Sequence, residues 1–149
     1  QRATIREQAE RDSEWPPKFQ AETLETRIEI YNPAPFMRPH WGEPLDLGNI
    51  YEMRTYMLKP GSTSEMIKRW GECLPYREKL SPLAGCWFTD LGPQFKWVHL
   101  WPYKNYTERA KIRDAVMKDP QYHWPPPTEE FIVSMENKIL IPAPFSPMH

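Results

Sequence analysis

The chain has 149 residues, 40% hydrophobic and 13% aromatic, with 19 basic against 20 acidic side chains and a net charge of −1. That apolar content is too high for a disordered chain, and the length sets a prior of about one domain of roughly 150 residues. Balanced charge removes the electrostatic reason to expect a nucleic acid or an anionic membrane as partner. Proline is the outlier, at 18 residues or about 12% of the chain against an average near 5%. An interior proline deletes an amide donor and clashes with the preceding turn. An unbroken helical bundle is therefore excluded, and short elements joined by stiff connections are expected.

The opening residues, Gln1 to Glu10, mix acids and bases and lack the apolar stretch of a signal peptide. Arg2-Ala3-Thr4-Ile5-Arg6 returns as Arg109-Ala110-Lys111-Ile112-Arg113, about 107 residues on, and Asp12 with Trp15 then matches Asp119 with Tyr122. Pro33-Ala34-Pro35-Phe36 returns as Pro142-Ala143-Pro144-Phe145, about 109 residues on, a difference that fits an insertion in the His123-Trp124-Pro125-Pro126-Pro127 loop. Two ordered matches at nearly one offset point to duplication of a domain-sized unit. The expected organisation is the C-terminal portion of a first repeat over 1–36, a linker over 37–48, and a complete second repeat over 49–149. The front of the first unit, roughly 60 residues, has no counterpart in this chain.

Within the second repeat, Ile50 to Leu58 is rich in β-branched and aromatic residues and ends at Pro60-Gly61, which predicts a strand and a turn. Ser62-x-x-Glu65 has the form of a capping box opening a helix. Its inward face is expected at Met66, Ile67, Trp70, Leu74 and the stem of Arg77, with a kink or stop at Pro75. Leu83 to Leu91 and Phe95 to Tyr103 read as strands of a hairpin around Gly92-Pro93. A helix is predicted over Tyr106 to Lys118, with Ala110, Ile112 and Val116 inward. A short helix over Thr128 to Glu136 and a last strand over Lys138 to Ile141 complete the pattern. The order βαββααβ implies an α+β fold, an antiparallel sheet with helices on one face. Its other face stays open unless two copies pack sheet to sheet.

Two cysteines, Cys73 and Cys86, make a poor disulfide framework and read as ordinary, largely buried thiols. Neither stands in a CxxC or beside histidine at metal-ligand spacing, so neither a metal nor a cofactor is expected. The longest apolar stretch, near Ile139-Leu140-Ile141, falls far short of the ~20 residues of a membrane span. No Ser-His-Asp order, glycine-rich phosphate loop or HExxH occurs.

His99 shares an alternating strand face with Phe95, Trp97, Trp101 and Tyr103. One reading makes it a general base in an aromatic-lined pocket. The favoured reading is a core or interface histidine whose nitrogens are satisfied by neighbours, since no carboxylate is fixed beside it. Glu52, Arg54 and Tyr56 share a face of the first strand. Arg54 there suits a carboxylate or phosphate ligand, while the plainer reading is a partly solvated row with an internal ion pair. Arg54, Tyr56, His99 and Trp101 are the candidate pocket residues. The Arg2/Arg6 and Arg109/Arg113 pairs, interleaved with Glu7, Glu108 and Asp114, read as a mixed, solvated helical surface. The proline motifs serve either as recognition arms lying on another protein or as straps finishing each repeat, the latter slightly favoured because both copies carry one.

Ile50-Tyr51-Glu52-Met53-Arg54-Thr55-Tyr56 with Leu58-Lys59-Pro60-Gly61 resembles the opening strand and turn of NIPSNAP domains. Val98-His99-Leu100-Trp101-Pro102-Tyr103, then Glu108-Arg109-Ala110 and Ile112-Arg113, resembles their third strand and following helix. Glu136-Asn137 and Ile141-Pro142-Ala143-Pro144-Phe145-Ser146-Pro147 are similar to the family's closing residues, and residues 1–36 resemble the end of a preceding NIPSNAP domain. The resemblance implies a ferredoxin-like dimeric α+β barrel and, for eukaryotic members, a mitochondrial address in the matrix or on the matrix face of the inner membrane. It implies interaction roles, with no enzymatic activity firmly attached to the family. The expected function is thus a non-catalytic mitochondrial protein, an accessory component of a larger assembly. The alternative is a small-molecule binder or enzyme using the His99 pocket. Expected partners are other proteins: a chain or segment completing the first repeat, or a homo- or hetero-oligomer. Nucleic acid is not expected, and membrane association is expected only through partners.

Overall fold

A computed structural model of the chain describes residues 2–12, 22–38, 44–92 and 95–148. A short helix, α1 (Arg2–Ala9), and a strand, β1 (Ile30–Pro33), precede the main unit. That unit runs β2 (Ile50–Leu58), α2 (Thr63–Arg77), β3 (Gly85–Leu91), β4 (Lys96–Tyr103), α3 (Tyr106–Lys118) and β5 (Ile132–Leu140). The strands form one five-stranded antiparallel sheet in the order β1-β3-β4-β2-β5. Without β1 this is the split βαβ order of a ferredoxin-like fold, so the α+β expectation holds.

Alternation along β2 and β4 sorts their side chains by face. Ile50, Tyr56 and Leu58 meet Trp97, Trp101 and Tyr103 on one side, and α2 lays Met66, Trp70 and Leu74 over them. A smaller cluster of Tyr51, Ala84 and Leu100 lies on the other side, with Leu47, Met53, Trp87 and Met148 against it. At the end of β2, Gly61 takes a φ of +80°, which lets the predicted turn reverse without a Cβ penalty. The second predicted turn is described only as far as Gly92, since Pro93 lies outside the described residues, as does Trp15 of the repeat match.

Several expectations need correcting. The capping box at Ser62 does not form: that hydroxyl donates backward to the Lys59 carbonyl at 2.7 Å, while Glu65 pairs with Arg69 at 3.0 Å. The helix cap by side chain belongs to α3, where the Asn105 carbonyl oxygen accepts from the Glu108 amide at 2.9 Å and the Glu108 carboxylate accepts from the Lys104 amide at 2.5 Å. Helix α2 continues two residues past Pro75, where the missing amide removes only one bond near its end. Ala110 is exposed, and the inward side of α3 is carried by Ile112 and Val116.

The largest correction concerns Thr128 to Glu136, which is not a helix. Only a single 3₁₀ turn forms, at Glu129–Phe131, and Ile132 then enters the free edge of β2. The ladder runs from Leu58 opposite Ile132 to Tyr51 opposite Leu140. Pairing with β2 supplies partners for a whole row of amides and carbonyls, which outweighs the weak helical preference of a Glu-rich segment.

The two proline motifs share one local turn. In the first, the Met37 amide donates to the Ala34 carbonyl at 2.9 Å; in the second, the Ser146 amide donates to the Ala143 carbonyl at 2.8 Å. Their surroundings differ. The first follows β1 onto the β3 edge, where the Ala34 amide donates to the Cys86 carbonyl at 2.9 Å and Phe36 lies over Gly71 and 6.3 Å from the Trp97 ring. The second leaves Ile141 76% and Phe145 91% exposed.

Candidate functional site

Register sets the floor of the site. On the helix-facing side of the sheet, Glu52 stands opposite Trp101, Arg54 opposite His99 and Tyr56 opposite Trp97. Helix α2 adds Trp70 and Arg77, α3 adds Arg113 and Val116, and the loop after α3 adds Trp124. Between them lies a cavity of about 370 Å³, within the size range of small-molecule pockets. All four candidate residues, Arg54, Tyr56, His99 and Trp101, are on its walls.

His99 is 1% exposed and enclosed by aromatic rings, with Trp70 at 4.5 Å, Tyr56 at 4.9 Å and Trp101 at 6.2 Å between centroids. The Trp101 indole N–H donates to His99 Nδ1 at 2.7 Å. Nδ1 is therefore the bare nitrogen, and the ring proton sits on Nε2. Nε2 is buried with no partner among the described residues, so the favoured expectation of a fully satisfied core histidine holds for one nitrogen and is not met there at the other. Burial, and then the charges of Arg54, Arg77 and Arg113, push the His99 pKa well below the ordinary value. The imidazole is neutral at physiological pH.

Glu52 anchors the opposite end. It is 0% exposed, and Arg109 grips it with two N–H groups at 2.8 and 3.1 Å while Arg113 reaches both oxygens at 3.4 Å. Burial raises its pKa, but the Arg109 hydrogen bonds and the charges of Arg113, Arg109 and Arg54 outweigh this and hold it below the usual value. The Arg109/Arg113 pair is thus not a mixed, solvated surface. One helical turn places both guanidiniums over the same buried carboxylate. The internal ion pair expected on β2 exists, but its cations come from α3 and not from Arg54.

Arg77 was read as a stem covering apolar surface, yet its guanidinium is also inside. It is 2% exposed, lies 4.2 Å from the Trp101 ring centre, and has only long contacts to Ser81 O at 3.3 Å and Tyr103 Oη at 3.5 Å. Burial lowers its pKa from the ordinary value. Arg54 lies over the Tyr56 ring at 5.4 Å, and its Nε is buried without a partner among the described residues. Neither Arg54 nor Arg77 has a carboxylate within ion-pair distance among the described residues. Sequence reasoning missed Trp70, Arg77 and Trp124 as cavity residues. A signal existed for the Glu52 clamp: one acidic residue on an otherwise inward-facing strand, matched by arginines at i and i+4 on a following helix.

Comparison with known proteins places this geometry in context. The NIPSNAP family model matches residues 51–147. The zebrafish protein NipSnap homolog 1 is 34% identical over 114 residues, covering 72% of this chain and 40% of that protein. The NipSnap homolog of Dictyostelium discoideum is 33% identical over 139 residues, covering 88% of this chain and 62% of the relative. The chain thus spans roughly two to three fifths of these curated relatives. Among solved structures, a NIPSNAP family protein of unknown function from Agrobacterium tumefaciens superposes with a TM-score of 0.64 at 32% identity, covering 72% of this chain and 99% of that one. An uncharacterized NIPSNAP domain protein from Burkholderia xenovorans gives a TM-score of 0.60 at 31% identity, covering 65% and 97%.

Proposed function

Starting from a chain that belongs to the NIPSNAP family, we propose that it is a non-catalytic protein that acts by binding other proteins, as an accessory component of a larger mitochondrial assembly. The address, matrix or matrix face of the inner membrane, rests on kinship with the animal and slime-mould relatives. The observation that carries the interaction reading is the pair of proline straps. Residues 30–37 already occupy the β3 edge, with Phe36 seated between Gly71 and Trp97. The second strap has the same turn but leaves Phe145 in solvent. Its natural seat is the β3 edge of another NIPSNAP unit, whether in a second copy or in a related partner. Strand addition supplies main-chain hydrogen bonds, and the phenyl ring supplies the apolar anchor.

The test compares Phe145→Asp with Phe36→Ala. Phe145→Asp is expected to abolish oligomers or partner capture, read by sedimentation, with the melting temperature unchanged. Phe36→Ala removes a half-buried ring and is expected to cost about 1–3 kcal/mol of fold stability. Unchanged assembly in the Phe145→Asp protein would sink the interaction reading. A second reading, a small-molecule pocket around His99, is favoured by the unpaired donors on the cavity wall. Replacing His99 with Gln separates the two, since loss of ligand with intact assembly supports only the pocket.

A further inference from the structure

The cavity wall has an imbalance with chemical content. Three of its lining residues carry a buried N–H group with no acceptor among the described residues: Arg54 Nε, His99 Nε2 and Trp70 Nε1. Buried donors normally find acceptors, and leaving one unmet costs about 1–3 kcal/mol. Three on residues around one space of about 370 Å³ mark a place for an acceptor that the described residues do not supply.

The charges point the same way. Arg54, Arg77 and Arg113 line the cavity, and among the described residues only Arg113 has a carboxylate partner, Glu52. Glu129 is the one acidic lining residue, and it is exposed. Two guanidiniums facing a space walled by indole and phenol rings are complementary to an anion, and Arg54 presents a free Nε–H for a charge-assisted bond. His99 contributes a directed N–H while staying uncharged, because Trp101 fixes its tautomer. The remaining wall is mostly apolar or aromatic, including Trp124, Val116, Ile132 and Met135, with Thr128 and Ser134 as its hydroxyl residues. Trp124 packs edge-on against both Trp70 at 4.9 Å and Trp101 at 5.5 Å, which gives this side a shaped surface.

We infer that this cavity binds a small organic carboxylate with an aromatic or branched apolar body. Its oxygens accept from Arg54 Nε–H and His99 Nε2–H, and its body lies against Trp70, Trp124 and Met135. The inference rests on the pocket reading and is independent of the strap. No bond is made or broken, and the cavity serves recognition.

The test uses the full chain and three acid–amide pairs: benzoate with benzamide, phenylacetate with phenylacetamide, and isovalerate with isovaleramide, plus inorganic phosphate. Binding is read by calorimetry and by quenching of the cavity tryptophans. At least one carboxylate is expected to bind tenfold or more tightly than its amide and than phosphate. Arg54→Gln should weaken that carboxylate at least tenfold, whereas Phe145→Asp should leave it unchanged while altering sedimentation. No carboxylate-over-amide preference in any pair, phosphate binding as tightly as the best carboxylate, or an Arg54→Gln protein with full affinity overturns the inference. If Arg54→Gln does not fold, the acid–amide comparison on the unaltered chain decides. Loss of assembly in Phe145→Asp alongside a failed acid–amide preference would remove the pocket and leave the interaction reading standing.

Discussion

The inward strip shared by β2 and β4 holds two buried polar sites two residues apart in register, and they are built on opposite plans. At Glu52 every charge is answered: one carboxylate, two arginines, contacts from 2.8 to 3.4 Å. At Arg54 and His99, two residues along β2 and β4, the cavity-lining residues carry buried donors with no acceptor among the described residues. A matched cluster fixes α3 against the sheet. An unmatched one costs stability, and the proposed carboxylate would supply its missing acceptor. On that proposal the same strip separates a folding site from a recognition site.

Removing one member of the matched site should have the largest effect. Glu52→Ala strands Arg109 and Arg113 over an apolar floor and is expected to cost about 3–5 kcal/mol, measured by urea unfolding. Arg109→Ala should cost more than Arg113→Ala, because the Arg109 contacts are bidentate and shorter. A Glu52→Ala protein as stable as the original would erase the contrast between the two sites.

The pH dependence sharpens it. The folded-state pKa of His99 is depressed, so the unfolded chain binds a proton first as pH falls below the ordinary value near 6.5. Stability is fully present above that value and declines as pH drops toward the folded pKa. Glu52, also depressed, contributes stability above the ordinary carboxylate range, and this is lost as pH falls through its folded pKa. Two separate acid slopes are expected, the His99 slope beginning near pH 6.5 and the Glu52 slope beginning near pH 4.5. His99→Gln should remove the first, shift stability at pH 7 by only about 1 kcal/mol, and leave the second in place.

The fold was legible where local pattern and tertiary pairing agree. Ile50 to Leu58 and Tyr106 to Lys118 form over the predicted spans because a β-branched run and a capped helix each suit their place in the sheet. Thr128 to Glu136 was misread because strand β5 is an edge. Only Ile132 and Ile139 are half-buried along it, so period-two alternation is faint and its geometry comes from β2. The four candidate residues could be grouped in advance because alternation on two strands puts them on one face. The Glu52 clamp left only a partial signal, an inward acid and two arginines at i and i+4, because the pairing itself depends on how α3 rolls onto the sheet; the Arg77 guanidinium is hidden in the pattern by its apolar stem. Trp124 enters from a loop, where spacing carries no information about direction.

The seat of β1 has a consequence for exchange. Its ladder with β3, from Ile30 opposite Leu91 to Pro33 opposite Trp87, lies outside the βαββαβ unit that it borders. Its occupancy is set jointly by that pairing, with Ala34 and Phe36 packed beside it, and by the effective concentration that the connection to β2 provides. Shortening or lengthening the connection between Phe36 and β2 should tune that concentration without altering a single interfacial atom. On the proposed strand addition, an equivalent strand from another molecule would compete for this edge by mass action, and the length of the connection would set the balance.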